Sequence, residues 1–464
     1  MTDIKGENVN QNSNGEVMGD LSPLKLRQIA AYGAGDFGFA VIVHMVGLFL
    51  LFFYTDIFGI SAAAAGTIFM VARIWDAVND PMMGYISDRT ETRWGKYRPY
   101  LLFAVIPLAF FNILLFITPD FGTTGKFIYA LVVYICWGIA YTATNLPYGS
   151  LTAVYTQNPV ERTSLAASRM IFGMPGILFI SVVTPIVVSK FSGPQVGYPV
   201  AVSIYTVIAI LLIWMVFGVV RERVQPAKRE LYTIKEMLLL VAQNKALLIV
   251  SAAVFLAGTA NTIRVMMAKY YVDYNIGKPE LFPMFMAIII GTMVLGAIVS
   301  PFLNRRMPKR NVYIVGMIIF VIGDLGIYYT PYSSINLILI LFAFAGLGSG
   351  IVYTLVWALV ADTVEYGEWK TGKRAEGVTY ASYSFSTKLA SAAGGGLGGF
   401  LLHASGYVPH AVQTPTADHM IRALFALGPV FCGILAVIVM QYYKLDGEVF
   451  QNVLNDLKQR KSDS

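Results

Sequence analysis

Apolar runs without a single Asp, Glu, Lys or Arg recur along the chain, separated by short polar breaks: residues 37–55, 99–119, 127–160, 170–189, 191–220, 246–263, 281–304, 325–361, 389–417 and 423–443. A helix needs about 20 apolar residues to cross the hydrocarbon core of a bilayer, so each run accommodates a crossing. The run 325–361 is too long for one helix, and Thr330-Pro331-Tyr332-Ser333-Ser334 supplies the turn that divides it. Residues 62–86 are also long enough to cross, although they carry Arg73, Asp76 and Asp80, and residues 311–330 cross with one acid, Asp324. The pattern predicts an all-α membrane protein of twelve transmembrane helices. The expected units are a disordered cytoplasmic tail (1–24), a six-helix bundle (25–220), a cytoplasmic central loop (221–245), a second six-helix bundle (246–443) and a cytoplasmic tail (444–464). The first 24 residues have no apolar core of the signal-peptide kind, so no cleavage is expected.

Composition narrows the class. Of 464 residues, 56% are apolar and 13% charged, about half the charge of a soluble domain. That excludes a soluble enzyme, a disordered scaffold and a nucleic-acid-binding domain. The net charge of +7 reflects topology. If both termini are cytoplasmic, twenty-five basic residues fall on the inner side and five (Lys126, Lys190, Lys269, Lys278 and Arg422) on the outer. The positive-inside rule then orients the chain in a bacterial-type inner membrane. Cys136 and Cys432 both lie in apolar runs, and with four histidines neither a disulfide framework nor a zinc site is expected. No nucleophile–base pair marks the loops, so the chain does not read as an enzyme. The expected partners are membrane lipid and a small solute, with no cofactor, no nucleic acid, and function as a monomer.

The two halves echo each other. Gly84-x-x-x-Asp88-Arg89 closes the second helix, and Ser300-x-x-x-Asn304-Arg305 closes the eighth, 216 residues later. Arg169 has a cationic counterpart 219 residues on in Lys388. Duplicated halves around a midplane site belong to alternating-access transporters.

Ionisable groups inside a bilayer are expensive and point to function. Asp76 and Asp80 are four residues apart on one face of the second helix, with Arg73 and Asn79 each three from Asp76. Arg73 offsets one negative charge; the second calls for a proton or a hard monovalent cation, which takes oxygen ligands of these types. The alternative is an internal Arg–Asp pair that holds the helix to its neighbours. The fourth helix offers Trp137, Tyr141, Asn145 and Tyr148 on one face beside Thr142, and the eleventh offers Tyr380, Ser384 and Lys388. Aromatic, amide, hydroxyl and cationic groups together suit a polyhydroxylated ligand, although each aromatic alone reads equally as packing. Arg169 and Lys388 need partners, because a buried cation is costly alone.

Two other patterns resemble motifs without their context. Gly367-Glu-Trp-Lys-Thr-Gly372-Lys373-Arg374 approaches a phosphate-binding loop but ends in Arg and follows a membrane helix. Gly394-Gly395-Gly396-Leu-Gly398-Gly399 reads as a close helix-packing seam. His44, in the first helix, reads as a packing histidine, with a proton shuttle as the alternative.

Arg73–Pro81 with Gly84, Arg93-Trp-Gly-Lys-Tyr-Arg98-Pro, Asn145-Leu-Pro-Tyr-Gly149-Ser and Asp362-Thr-Val-Glu-Tyr-Gly-Glu-Trp-Lys-Thr-Gly372 resemble the glycoside–pentoside–hexuronide:cation symporters, the melibiose permease group of the major facilitator superfamily. The likeness runs from Ala31 to Leu445. It implies the major facilitator fold of two pseudo-symmetric six-helix bundles. It also implies a cation site of Asp76, Asn79, Asp80 and Thr142, with Asp76 and Asp80 ligating Na+ where that is the coupling ion. Sugar contacts are implied at Arg169, Ser384 and Lys388, with Tyr141 alongside. Where melibiose permease carries aspartates on helices one and four, this chain has Ala40 and Asn145, and Gly149 replaces an aromatic; Arg264 falls where the sulfoquinovose-type carriers have a lysine.

The expectation is a symporter that couples a sugar or glycoside to Na+ or H+ by alternating access. Its substrate contacts are Arg169, Lys388, Asn145, Tyr141, Ser384, Tyr148, Arg264 and Tyr353, and Arg73, Asp88 and Arg89 act in gating. Arg169, Lys388 and Arg264 outnumber the acids left after the coupling pair, which points to an anionic uronide or sulfonated sugar. The alternative is that Asp36 or Asp324 pairs with one of these cations and the sugar is a neutral pentoside or hexoside. An exporter or uniporter of the same fold is the other alternative.

Overall fold

The computed structural model describes residues 10–11, 17–18, 23–156, 158–223, 233–445 and 447–462. The tail expected over 1–24 lies outside these residues apart from Leu24, its neighbour Pro23, and a short antiparallel pairing of Asn10–Gln11 with Val17–Met18. Nine residues of the central loop, 224–232, also lie outside the described residues.

Twelve long helices cross the molecule among the described residues. They are α1 (Leu26–Phe52, extended by a π-helical turn Phe53–Ile57), α2 (Ala62–Arg89), α3 (Arg98–Phe103 and Val105–Leu114), α4 (Thr123–Tyr155), α5 (Pro159–Val188) and α6 (Pro194–Val219) in the first half. The second half holds α7 (Lys245–Tyr270, extended by a π-helical turn Tyr271–Ile276), α8 (Phe282–Asn304), α9 (Lys309–Tyr329), α10 (Ile335–Thr371), α11 (Glu376–Ala404) and α12 (Pro415–Arg422, Ala423–Leu427 and Gly428–Gln441). Shorter helices, Ile234–Gln243 and Glu448–Ser462, precede α7 and follow α12.

The charge-free runs locate most of these helices but misplace two boundaries. Residues 389–417 span the end of α11, a turn, and the start of α12, because Lys388 and Arg422 lie inside helices. Likewise α10 continues ten residues past Ala361, through charged Asp362, Glu365 and Glu368, to a left-handed Gly372 (φ 72°) that ends it. The sequence resembling a phosphate loop is therefore a helix terminus. Ser61 and Thr414 cap α2 and α12, accepting from the backbone N–H groups of Ala64 (3.2 Å) and Ala417 (3.2 Å).

Packing repeats between the halves. The neighbours α1/α5, α1/α6, α2/α4, α3/α4 and α3/α6 are matched by α7/α11, α7/α12, α8/α10, α9/α10 and α9/α12. The halves meet along α2/α11 and its counterpart α5/α8, and along α1/α7 on the pseudo-axis. The glycine run of α11 makes the first of these contacts possible. A Cβ at Gly399 would stand 2.5 Å from the Ala62 carbonyl oxygen and 2.7 Å from Gly66 Cα, so only backbone fits between α2 and α11.

One end of the bundle carries most of the basic loops, and there each half is tied to itself. Glu222 accepts from the backbone N–H groups of Lys96 (2.9 Å), Tyr97 (2.7 Å) and Arg98 (3.1 Å) in the first half. In the second, Lys309 holds Asp362 (2.5 Å) and Arg374 holds Glu368 (2.7 Å).

Candidate functional site in the polar interior

Asp76 and Asp80 lie on α2 where it passes between α4 and α11. Asp76 is buried and accepts from Arg73 Nη1 at 3.0 Å. It packs so closely on α4 that a Cβ at Gly138 would stand 2.9 Å from its Oδ1. Asp80 accepts from Thr142 Oγ1 at 3.1 Å, and its other oxygen takes the ammonium of Lys388 from α11. The second negative charge, expected to await a cation, is thus met by a cation from the opposite half. Between the two acids, Asn79 is wholly buried and neither its Nδ2 nor its Oδ1 has a hydrogen-bond partner. Orphaned amide atoms cost about 1–3 kcal/mol, which an ion or ligand between the helices would relieve. Of the four residues implied by the family resemblance, Asp76, Asn79 and Asp80 lie on α2, and Asp80 bonds Thr142 of the facing α4. Among the described residues no group of three His, Cys, Asp or Glu could hold a metal ion.

Arg169 on α5 grips Asp36 of α1 with two parallel bonds, Nε to Oδ2 at 2.6 Å and Nη2 to Oδ1 at 3.1 Å. The single hydroxyl hydrogen of Tyr148 lies between two acceptors, the Tyr32 carbonyl oxygen at 2.6 Å and Asp36 Oδ2 at 2.8 Å. Tyr148 is wholly buried and braces Asp36. Tyr141 stays half-buried, stacked on Trp137 with ring centroids 5.4 Å apart, close enough to both Asp36–Arg169 and Arg73–Asp76 for their charges to act on it. Asn145, on the same face of α4, and Ser384 on α11 are also half-buried, and Tyr353 on α10 is 42% exposed.

Arg264 departs from its expected role. Its Nη1 lies 3.4 Å from Asp324 Oδ1 and its Nη2 donates to Ser349 at 3.0 Å, between the rings of Phe320 and Phe342. With 2% of its side chain exposed and none of Asp324's, this pair forms a strut inside the second half. The excess of interior cations also disappears. Arg73, Arg169, Arg264 and Lys388 pair with Asp76, Asp36, Asp324 and Asp80.

At the basic end the described contacts of Arg89 and Arg98 stay within their own half. Arg89 stacks on Tyr85 of its own helix at 4.1 Å, Arg98 donates to the Phe217 carbonyl of its own half, and the Asp88 side chain lies outside the described residues. Besides Lys388–Asp80, a cluster of bonds between the halves lies at the opposite end and went unforeseen. Asp56, in the π-helical turn of α1, accepts from Thr55 (2.6 Å), Tyr407 (2.6 Å) and Tyr274, and its backbone oxygen meets His410. Thr55 and Tyr270 hydroxyls bond at 2.7 Å. Tyr54-x-Asp56 repeats 217 residues on as Tyr271-x-Asp273, again in a π-helical turn; that echo was the available signal. Asp56→Ala removes the hub. Each hydrogen bond to a charged group contributes about 1.5–3 kcal/mol, so the loss of one alone shifts the open–closed balance roughly tenfold. Spin labels at exposed Asp120 and Glu280 should report a longer, broader distance distribution in Asp56→Ala; an unchanged distribution would refute a gate there.

Two pseudo-symmetric six-helix bundles around an ion-paired interior, sealed at one end by bonds between bundles, define a secondary transporter. The chain belongs to the MFS/sugar transport protein family, whose profile matches residues 31–447; it is a multi-pass membrane transporter of the sugar-symporter type and not an enzyme. It is 38% identical over 444 residues to the uncharacterized symporter YjmB of Bacillus subtilis, covering 94% of this chain and 96% of that one. It is 34% identical to the isoprimeverose transporter of Lactiplantibacillus pentosus (93% and 91% covered) and 33% identical to the glucuronide carrier protein homolog of Escherichia coli (94% and 96%). Among solved structures it resembles the nucleoside transporter NupG, with a TM-score of 0.65 over 89% of this chain and 99% of that one; at 13% identity that likeness concerns the fold alone.

Proposed function

We propose that this protein imports a neutral sugar or glycoside in symport with Na+ or H+. The observation that carries the reading is Lys388 of the second bundle bonded to Asp80 of the first. A coupling cation at Asp76, Asn79, Asp80 and Thr142 competes with that ammonium for the same carboxylate. Its arrival frees Lys388 to donate to substrate hydroxyls, and substrate on Lys388 leaves Asp80 to the cation. Each ligand then strengthens the other by an equal factor, which is the linkage symport requires. Arg169, Tyr141, Asn145 and Ser384 complete the sugar contacts, with Tyr353 at the edge.

The four ion pairs among the described interior residues support a neutral substrate, since Arg73, Arg169 and Arg264 keep their acids and only Lys388 is released to a ligand, and the relative named for isoprimeverose supports it too. Uptake into proteoliposomes of labelled pentosides, hexosides and uronides, each with and without sodium or a proton gradient, tests the reading. Accumulation of neutral glycosides driven by one cation is expected; competition by uronides and sulfonated sugars alone would overturn it. The basic end faces the cytoplasm, with both termini inside. Single cysteines replacing Lys96, Lys235 and Lys370 should react only from the inner side, and those replacing Lys126 and Lys278 only from the outer. External labelling at Lys235 would reverse the orientation.

A further inference from the structure

We infer that Asp36 sets the charge selectivity of the transporter: by neutralising Arg169 it excludes anionic sugars from a site that would otherwise attract them. The inference rests on the neutral-glycoside reading above and deepens it. The Asp36–Arg169 pair is not sealed in the way Arg264–Asp324 is. Its side chains are 16% and 32% exposed, against 0% and 2% for the strut. It also keeps hydrogen-bonding capacity in reserve. The two bonds to Asp36 use Nε and Nη2 of Arg169, and Nη1 takes no part in them. Asp36 Oδ1 takes one of those bonds and retains a lone pair, while Oδ2 is filled by Arg169 and Tyr148.

Glycines, not bulky side chains, flank the pair. A Cβ at Gly149 would stand 3.9 Å from Arg169 Nη1, and one at Gly173 would stand 3.8 Å from the Asp36 Cβ. Two glycines from α4 and α5 therefore border the pair, and a ring entering beside them meets one donor and one acceptor with no net charge. A neutral diol satisfies both. A carboxylate or sulfonate would accept from Nη1 but face the Asp36 oxygens, and that repulsion rejects it. Nothing else in the immediate surroundings offsets Arg169: Tyr148, whose ring lies 5.0 Å from the guanidinium, is neutral, and its hydroxyl is committed to Asp36 and the Tyr32 carbonyl.

Matched probes that differ only in charge test this on purified full-length protein. Methyl β-glucuronide and methyl β-glucoside share a ring, and their binding is read by calorimetry. Wild-type protein should bind the glucuronide weakly or not at all. Asp36→Asn, which keeps the shape and removes the charge, should gain about tenfold or more in glucuronide affinity. Arg169→Gln leaves the carboxylate unpaired, and it should instead gain comparable affinity for the cationic methyl β-glucosaminide; this second variant reads the same filter if Asp36→Asn is poorly folded. The double variant Asp36→Asn/Arg169→Gln should lose both gains. Wild-type protein that binds glucuronide as tightly as Asp36→Asn, or folded single variants without a gain for the matching charged probe, would overturn the assignment. Failure of the wild type to transport any glycoside would instead strike the proposed function, since the charged-probe gains are read without transport.

Discussion

Asp80→Asn abolishes cation-driven accumulation of substrate while leaving some substrate binding. Asp80 is the acid shared between the halves, bonded to Thr142 at 3.1 Å and to Lys388 from α11. An amide in its place offers no charge for a coupling cation to neutralise, so binding of the two ligands is uncoupled and a gradient performs no work. Asp76→Asn should act similarly and additionally strand Arg73, whose 3.0 Å bond to Asp76 is its ion pair. Asn79→Ala should impair sodium coupling more than proton coupling, because an amide oxygen can ligate a metal ion but does not hold a proton at neutral pH. The measurement compares gradient-driven uptake with substrate exchange in vesicles. Full concentrative uptake by Asp80→Asn would falsify the cation-site assignment. Lys388→Ala combined with Asp80→Asn should recover folded protein lost in Lys388→Ala alone, since the pair is removed together and no buried charge remains unpaired.

The second large effect concerns stability. Arg264→Gln should deplete folded protein, and Asp324→Asn should do so less severely. Breaking a fully buried ion pair by removing one partner costs about 3–5 kcal/mol, because the other charge is left in the apolar interior. Asp324 already has one oxygen without a partner, so the loss of Arg264 leaves the whole carboxylate exposed to low dielectric. Replacing both with apolar residues of similar volume, Arg264→Met with Asp324→Leu, should restore a monodisperse, thermally stable protein. Transport competence in that double variant is expected, since the pair is a strut inside the second half. A folded Arg264→Gln whose sole defect is weaker binding of anionic sugars would return Arg264 to the substrate site.

Much of the design was legible along the chain. Crossing helices are recognised by uninterrupted apolar length, a property of consecutive residues that does not depend on neighbours in space. Acids and cations in those stretches stand out for the same reason, since their cost in hydrocarbon is paid wherever the helix packs. Asp76, Asn79, Asp80, Thr142, Arg169 and Lys388 were all visible in this way, and so was the glycine seam of α11.

Partnership was not. Lys388 and Asp80 are 308 residues apart, Arg169 and Asp36 are 133 apart, and Arg264 and Asp324 are 60 apart. Which acid each cation meets depends on the rotation of every helix and on how closely seams such as Gly66–Gly399 bring the helices together. No periodicity in the sequence specifies that arrangement. Counting charges from sequence left Arg169, Lys388 and Arg264 in surplus and pointed to an anionic sugar, with pairing to Asp36 or Asp324 as the alternative; the packing pairs Arg169 with Asp36, Arg264 with Asp324 and Lys388 with Asp80. The Asp56 seal was hidden for a related reason: tyrosines near helix ends have the same appearance whether they line an interface with lipid or close on an acid of the opposite bundle. The sequence by itself thus determined how many helices cross and which polar groups they carry into the membrane, because apolar length and the cost of charge are local. Only the tertiary structure decided which groups neutralise one another and at which end the halves are held shut, because those depend on contacts between residues that packing alone brings together.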